Sequence, residues 1–228
     1  MKICINIMVW SRPGVFDATC RSIFDQDTEH EIVLACALSP DDPHYADNER
    51  TANRFAALSI VVPNKPLSTK SNTLARSGKQ LDWDYWMVLG SDDVVGPGFF
   101  DSYDFDAHEA WGWKDLYMYE PTTDTFCHWH GYTDYRRGKM SVGAGRVVSR
   151  DIMERLHWMP HRDGLDRNLD SSMSARLKQK GVTMGLGPLP DDVYMVDCKD
   201  DVSITPMSAF DPAAMTAMPV PSCLRRYL

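Results

Sequence analysis

Hydrophobic positions in the first half of the chain alternate between short continuous runs and helical spacing. Ile3 to Trp10 is an apolar run broken by Asn6 and reads as a first strand. From Val15 to Phe24 the apolar residues pair at Val15/Phe16, Thr19/Cys20 and Ile23/Phe24, the spacing of an amphipathic helix. Glu31 to Leu38 forms a second, nearly continuous strand that stops at Ser39-Pro40-Asp41-Asp42-Pro43. A helix is expected over Asn48 to Leu58 and a third strand over Ser59 to Pro63. Ser71 to Leu81 reads as a helix with Leu74, Ala75, Gly78 and Leu81 on one side, and Tyr85 to Leu89 as a fourth strand running into Gly90-Ser91-Asp92-Asp93. Strands alternating with helices predict an α/β fold with a mostly parallel central sheet flanked by helices.

The second half is less regular. Leu116 to Tyr119, Thr125 to Trp129 and Met140 to Val148 have strand character, and Leu169 to Lys180 places Leu169, Met173 and Leu177 four apart on a helix that Gly181 stops. Beyond Val196 the chain becomes rich in Pro, Met and Ala. One domain is expected over residues 1–207, with 208–228 as an irregular tail.

Composition narrows the function classes. At 228 residues, 43% hydrophobic and 25% charged, the chain belongs with globular proteins, and a net charge of -8 argues against sequence-blind nucleic-acid binding. Cys4, Cys20, Cys36, Cys127, Cys198 and Cys223 include no close pair, so reduced thiols and a cytoplasmic location are expected. The Ile3 to Trp10 run is short for a signal-peptide core, and no stretch approaches the ~20 apolar residues that span a bilayer.

Ligands of an open parallel sheet bind beyond the carboxyl ends of its strands, and those ends carry Ser11-Arg12, Ser39-Pro40-Asp41-Asp42 and Ser91-Asp92-Asp93. Adjacent carboxylates after a buried strand suit a hard cation, Mn²⁺ or Mg²⁺. An Asp-Asp pair before Gly96-Pro97-Gly98 is also an ordinary turn. Asp163, Asp166 and Asp170 supply carboxylates for a general base, or an N-cap for the helix that follows; Asp166 and Asp170 share a face if that helix starts early. His128 and His130 alternate about Trp129 on one strand face, without a third ligand at close spacing. Tyr132, Tyr135, Arg136, Arg137 and Lys139 form the one local run that mixes aromatics with positive charge.

The order of these pieces resembles the family 2 glycosyltransferases of the GT-A fold, over roughly residues 3–187. The resemblance rests on Ser11-Arg12-Pro13 after the first strand, on Ser39-Pro40-Asp41-Asp42 after the second, and on Lys70-Ser71-Asn72 opening a helix. It continues in Trp86-Met87-Val88-Leu89-Gly90-Ser91-Asp92-Asp93, in Gly143-Ala144-Gly145 before Ser149-Arg150, and in Asp170 eleven residues before Gly181. It implies an enzyme that moves a hexosyl or pentosyl group, with inversion, from a nucleotide diphosphate sugar such as a UDP-sugar. Asp92 and Asp93 would hold the metal, Asp93 more directly, and Gly90 stands where many members have an Asp. Ser11, Arg12, Ser39, Asp41, Asp42, Lys70, Asn72 and Asp92 would bind the donor. Asp170, with Asp166 as the alternative, would be the base. Trp129, Tyr135, Arg136 and Arg137 would meet the acceptor.

The segment Val196 to Thr205 resembles the phage-type enzymes that glycosylate hydroxymethylated pyrimidines in DNA, an acceptor that requires an exposed base. A polysaccharide, glycolipid or protein acceptor is the other expectation. A non-catalytic nucleotide- or carbohydrate-binding module is the alternative of another class, and it needs no base. A sugar nucleotidyltransferase would carry a longer Gly-rich, Arg-containing loop than Ser11-Arg12-Pro13-Gly14.

Overall fold

The computed structural model describes residues 1–132, 140–200 and 202–228. The first half runs β1 (Lys2–Met8), α1 (Pro13–Phe24), β2 (Glu31–Leu38), α2 (Tyr45–Phe55), β3 (Leu58–Val61), α3 (Leu67–Gly78) and β4 (Tyr85–Gly90). β1 pairs in parallel with β2 and β4, and β2 pairs in parallel with β3. Alternation along β1 sends Ile3, Ile5 and Ile7 to a core shared with α1, while Cys4 faces a second core with Leu74 and Ala75 of α3 and with Trp83 and Trp86. A strand apolar on both faces is thereby covered on both, as a parallel sheet requires.

The second half contributes β5 (Asp93–Val95), β6 (Ala110–Trp113), β7 (Leu116–Glu120), β8 (Thr125–Trp129), β9 (Arg146–Ser149), α4 (Arg150–Arg155), α5 (Leu169–Gln179), β10 (Gly185–Gly187), β11 (Met195–Cys198) and β12 (Met215–Ala217). The main sheet has seven strands in the order β10-β6-β9-β4-β1-β2-β3, and a smaller sheet has five in the order β12-β8-β7-β11-β5. β9 inserts antiparallel between β4 and β6, so the parallel character is confined to the β4-β1-β2-β3 half and the β10-β6 edge.

Element boundaries differ from the sequence reading where side chains override local periodicity. The strand expected over 140–148 begins only at Arg146, because that side chain turns back to hydrogen-bond Ser141. A short helix, α4, follows at once, its first turn capped by Ser149 Oγ, which accepts from the Ile152 N–H at 3.4 Å. Residues 208–228, expected to be irregular, include β12, which pairs antiparallel with β8. Leu224 is fully buried in the main core, and the Tyr227 hydroxyl donates to Asp25 Oδ2 at 2.8 Å. All six cysteines are unpaired. Among the described residues, no helix is long and apolar enough to cross a membrane.

Integration of the last residues into the core has a measurable consequence. Leu224→Ala removes a buried side chain and should cost about 2–5 kcal/mol, lowering Tm by roughly 5–15 °C in a domain of this size. Thermal denaturation checks this, and an unchanged Tm would show that the final turn does not pack as described.

Candidate active site

The site begins with a turn that forces an arginine inward. Ser11 and Arg12 both adopt left-handed backbone conformations, at φ 58° and 46°, between β1 and α1. Asp42, buried after β2, holds that turn: its Oδ2 accepts from the Ser11 N–H at 2.8 Å and from Asn48 Nδ2 at 2.9 Å, and its Oδ1 accepts from the His44 N–H at 2.8 Å. The guanidinium of Arg12 then reaches across the sheet end. It donates to Asp92 Oδ2 at 2.5 Å, Cys198 O at 3.0 Å and Asp200 Oδ1 at 3.2 Å.

Beneath it lies a cluster of carboxylates. Single oxygens of Asp92, Asp93 and Asp197 lie within 4.8 Å of one another. Asp92 and Asp93 follow β4, and Asp197 is brought in by β11, which pairs antiparallel with β5 so that Asp197 stands opposite Asp93. Burial, then Asp197 and Asp92, push the Asp93 carboxyl well above the ordinary carboxylate range. Burial, then Asp92, push Asp197 up to about 6, against the pull of Lys199, whose ammonium is paired with it. Asp197 Oδ1 is buried with no hydrogen-bond partner among the described residues. An orphaned oxygen in an all-oxygen donor set that repels itself fits a hard divalent cation.

Gly90 is explained by the same crowding. A Cβ there would stand 2.4 Å from Asp92 Oδ1 and 3.0 Å from Asp93 Oδ2, and the Gly90 N–H donates to Asp93 Oδ2 at 2.5 Å. A first Asp at this position has no room in this arrangement, and Asp197 supplies the third carboxylate from another strand.

The cluster opens into a cavity of about 600 Å³ whose walls also include Asp166, Asp170, Arg146 and Trp129. Asp170 lies in the first turn of α5. Three contacts fix it. Arg146 is almost fully buried and donates to the Asp170 carbonyl at 3.0 Å, Gly143 lies so close that a Cβ there would be 2.2 Å from Asp170 Oδ1, and the Tyr132 hydroxyl donates to Asp170 Oδ2 at 3.3 Å. His161, also on the cavity wall, donates from Nδ1 to the Leu169 carbonyl at 3.1 Å.

The cavity thus unites Arg12, Asp92, Asp93, Asp166, Asp170 and Trp129 of the residues expected from sequence. Asp166 and Asp170 do not share a helix face: α5 starts at Leu169 after Asn168 in a left-handed conformation, which leaves Asp166 on the preceding loop, accepting from the Leu67 N–H at 3.2 Å. Ser11, Ser39, Asp41, Asp42, Lys70 and Asn72 stand outside the cavity wall. Lys70 is buried behind it, donating to Val9 O, Ser39 Oγ and Asn64 Oδ1, and burial brings its ammonium down to about 8. Asn72 pins the loop before α5 through His161 and Asp163. Asp41 is exposed. Tyr135, Arg136 and Arg137 lie outside the described residues. His128 on β8 and His130 just past its end do lie side by side, their rings 4.6 Å apart, where His128 pairs with Asp115 at 2.7 Å and His130 with Thr216 at 2.8 Å.

Asp197, Lys199, Arg146 and His161 were not singled out by the sequence. For Asp197 the local signal is a lone carboxylate among the apolar residues Met195, Val196 and Cys198, which marks a polar side chain on a strand but not its partners. Arg146 and His161 carry no local signal, since only tertiary contacts bury them.

No family model and no curated protein matches the chain. Solved structures do match in fold. S. aureus TarS, residues 1–349, is similar at 11% identity and TM-score 0.59 over 87% of this chain and 60% of that one. The same fragment in complex with UDP-GlcNAc matches at 12% identity and TM-score 0.59 over 89% of this chain and 60% of that one. The mannosyltransferase PcManGT from Pyrobaculum calidifontis, in complex with GDP-Man and Mn²⁺, matches at 12% identity and TM-score 0.59 over 88% of this chain and 58% of that one. The fold is the GT-A type of these glycosyltransferases, and the chain spans about three-fifths of the length of each.

The His161 environment sets a pH dependence. Burial, reinforced by Arg146 and Arg176, brings the imidazole down to about 4 from its ordinary 6.5, while the bond to Leu169 pulls the other way. The unfolded chain therefore takes up a proton that the folded chain refuses, and stability present above pH 6.5 is lost as pH falls toward 4. The effect amounts to about 3 kcal/mol when complete. His161→Asn keeps a donor toward Leu169 and cannot titrate. In urea denaturation, the advantage of wild type over His161→Asn should shrink between pH 7.5 and 4.5; a constant difference would show that His161 titrates normally.

Proposed function

We propose that this protein transfers a sugar from a nucleotide diphosphate donor to an acceptor hydroxyl, with inversion. The observation that carries this reading is a single cavity with a three-carboxylate cluster at one wall and an anchored carboxylate, Asp170, at another. The fold supports it by analogy only, because one fold hosts many functions.

Asp92, Asp93 and Asp197 would hold Mn²⁺ or Mg²⁺, whose contribution when bound is to neutralise charge on the departing diphosphate. A UDP-sugar is the favoured donor, supported by the UDP-GlcNAc complex of TarS; the GDP-Man complex of the mannosyltransferase makes GDP-sugars the comparison. Arg12 and Lys199 add positive charge beside the carboxylates. Asp170 takes the proton of the acceptor hydroxyl as its oxygen bonds to the anomeric carbon. The bond from that carbon to the phosphate oxygen breaks, and its electron pair leaves on the diphosphate. Direct displacement needs one base and inverts the centre. Hydroxymethylated DNA remains a named acceptor to assay, on the strength of the Val196–Thr205 resemblance and of the Tyr132 to Lys139 run.

Calorimetric titration of UDP and GDP, with Mn²⁺ and with chelator, tests the cation. Affinity should fall at least about tenfold in chelator, and Asp93→Ala and Asp197→Asn should each remove most of the metal-dependent part. Equal affinity in both buffers would take the metal role away from the cluster.

Release of UDP from UDP-sugars tests the base. Asp170→Asn, which keeps shape and an acceptor for the Tyr132 hydroxyl, should lower kcat by roughly 10²–10⁴ with donor affinity retained. Loss in Asp166→Asn instead would move the base to the loop before α5. No turnover by wild type on any donor would favour the non-catalytic binding module.

A further inference from the structure

A second cavity of about 610 Å³ opens into the first, and the two share most of the second one's lining, Trp129, Tyr132, Asp166, Arg167, Asp170 and Phe210 included. Asp170 therefore faces both chambers, while Asp92, Asp93 and Asp197 line only the first. If the donor occupies the carboxylate-cluster side, the second chamber is where an attacking hydroxyl must lie.

The walls of that chamber have a definite chemistry. Trp129 sits at the centre of an aromatic group, its ring edge-to-face with Tyr132 at 5.2 Å and with Phe210 at 5.1 Å. Alternation along β8 explains its direction, since His128 before it on the strand and His130 just past the strand end turn the other way and pair with Asp115 and Thr216. Phe210 is brought up by the turn before β12 and is half-buried, with the Lys199 ammonium 5.3 Å from the centre of its ring. At the mouth, Ile204 is 63% exposed, the most exposed large hydrophobic side chain among the described residues. Around these apolar surfaces stand Asp166, Asp170 and Asp211, and the cation among the described lining residues is Arg167.

Aromatic faces paired with carboxylate acceptors match a sugar ring. Its axial C–H face is apolar and stacks on aromatic surface, and its hydroxyls donate to carboxylates. A phosphodiester chain would instead bring negative charge against three carboxylates. A cavity of this volume falls within the ~300–1,000 Å³ of small-ligand sites. We propose that the chamber bounded by Trp129, Tyr132 and Phe210 is the acceptor site, and that it takes an uncharged carbohydrate. This rests on the transfer reading above for the word acceptor, and on the chamber alone for the carbohydrate.

Ligand-observed saturation-transfer NMR tests it on the full chain with Mn²⁺, with and without UDP. The probes are maltotriose, mannotriose, chitotriose and a short duplex containing 5-hydroxymethyluracil, at about 150 mM salt. At least one trisaccharide should bind saturably and the duplex should not. Phe210→Ala should weaken the trisaccharide about tenfold, a 1.4 kcal/mol effect, and Phe210→Leu, which keeps apolar packing without an aromatic face, should weaken it less. Failure of all three trisaccharides, binding of the duplex in their place, or an unchanged affinity in Phe210→Ala would each overturn the proposal. A chain that binds a trisaccharide but not UDP would retain the carbohydrate site and lose the transfer reading. A chain that binds UDP and no trisaccharide would do the reverse.

Discussion

Three carboxylates packed within 4.8 Å of one another repel, and much of the architecture around the main sheet's end can be traced to the way that repulsion is managed. At an effective dielectric near 20, two like charges at that separation cost about 3–4 kcal/mol. The compensating cations come from distant parts of the chain: Arg12 from the turn after β1, and Lys199 from just beyond β11. Arg12 also bonds Cys198 O and Asp200, so one guanidinium ties the beginning of the main sheet to the end of the small one. Asp42 and Asn48 have no place in the cavity, yet they hold the left-handed turn without which Arg12 would not point inward. Their contribution to the site is indirect and structural.

A different solution operates at the other wall. Arg146 is buried against carbonyl oxygens of Ser141, Val142 and Asp170 and the hydroxyl of Ser141, with no carboxylate bonded to it among the described residues. Burying a guanidinium this way is costly unless its donors are satisfied, and here they are. The same bonds fold residues 141–143 against the first turn of α5, which is what lets Gly143 touch the Asp170 carboxylate. Asn72, on α3, fixes the loop that leads into α5 from the opposite side. The proposed base is therefore held by two elements of the main sheet's surroundings, whereas the proposed metal ligands are held by the junction of the two sheets.

This division explains what was legible in the sequence. β1, β2 and β4 are nearly continuous apolar runs because a parallel strand is covered on both faces, and such runs are conspicuous. The polar residues at their ends, Arg12 and Asp92-Asp93 among them, could be placed as soon as the strands were. β5, β6 and β10 have three or four residues each, too few to show a period, and the strand expected over 140–148 was cut short by the inward turn of Arg146. Asp197 joins the cluster through an antiparallel pairing between residues about a hundred positions apart, a relation that no local pattern encodes. Conversely, Asp42 and Asn72 had the right residue types for donor contacts, but their side chains are consumed by backbone turns.

At 11–12% identity, with about three-fifths of the neighbours' length represented, the match reports how strands and helices are arranged and not which side chains fill the site. The arrangement itself has chemical content, because it dictates that the ends of β1, β2 and β4 share one edge. It does not dictate the filling of that edge, and this chain fills it in its own way: glycine at position 90, a carboxylate from β11, and a buried arginine under Asp170. Gly90 and Asp197 are best understood together, since the space denied to a side chain at the end of β4 is the space in which the carboxylates of Asp92 and Asp93 turn toward Asp197. A side chain introduced at position 90, the last residue of β4 in the main sheet, would therefore disturb Asp92 in the turn that follows and Asp93 on β5 of the small sheet, which makes the cluster a property of the junction between the two sheets and not of the Asp-Asp pair alone.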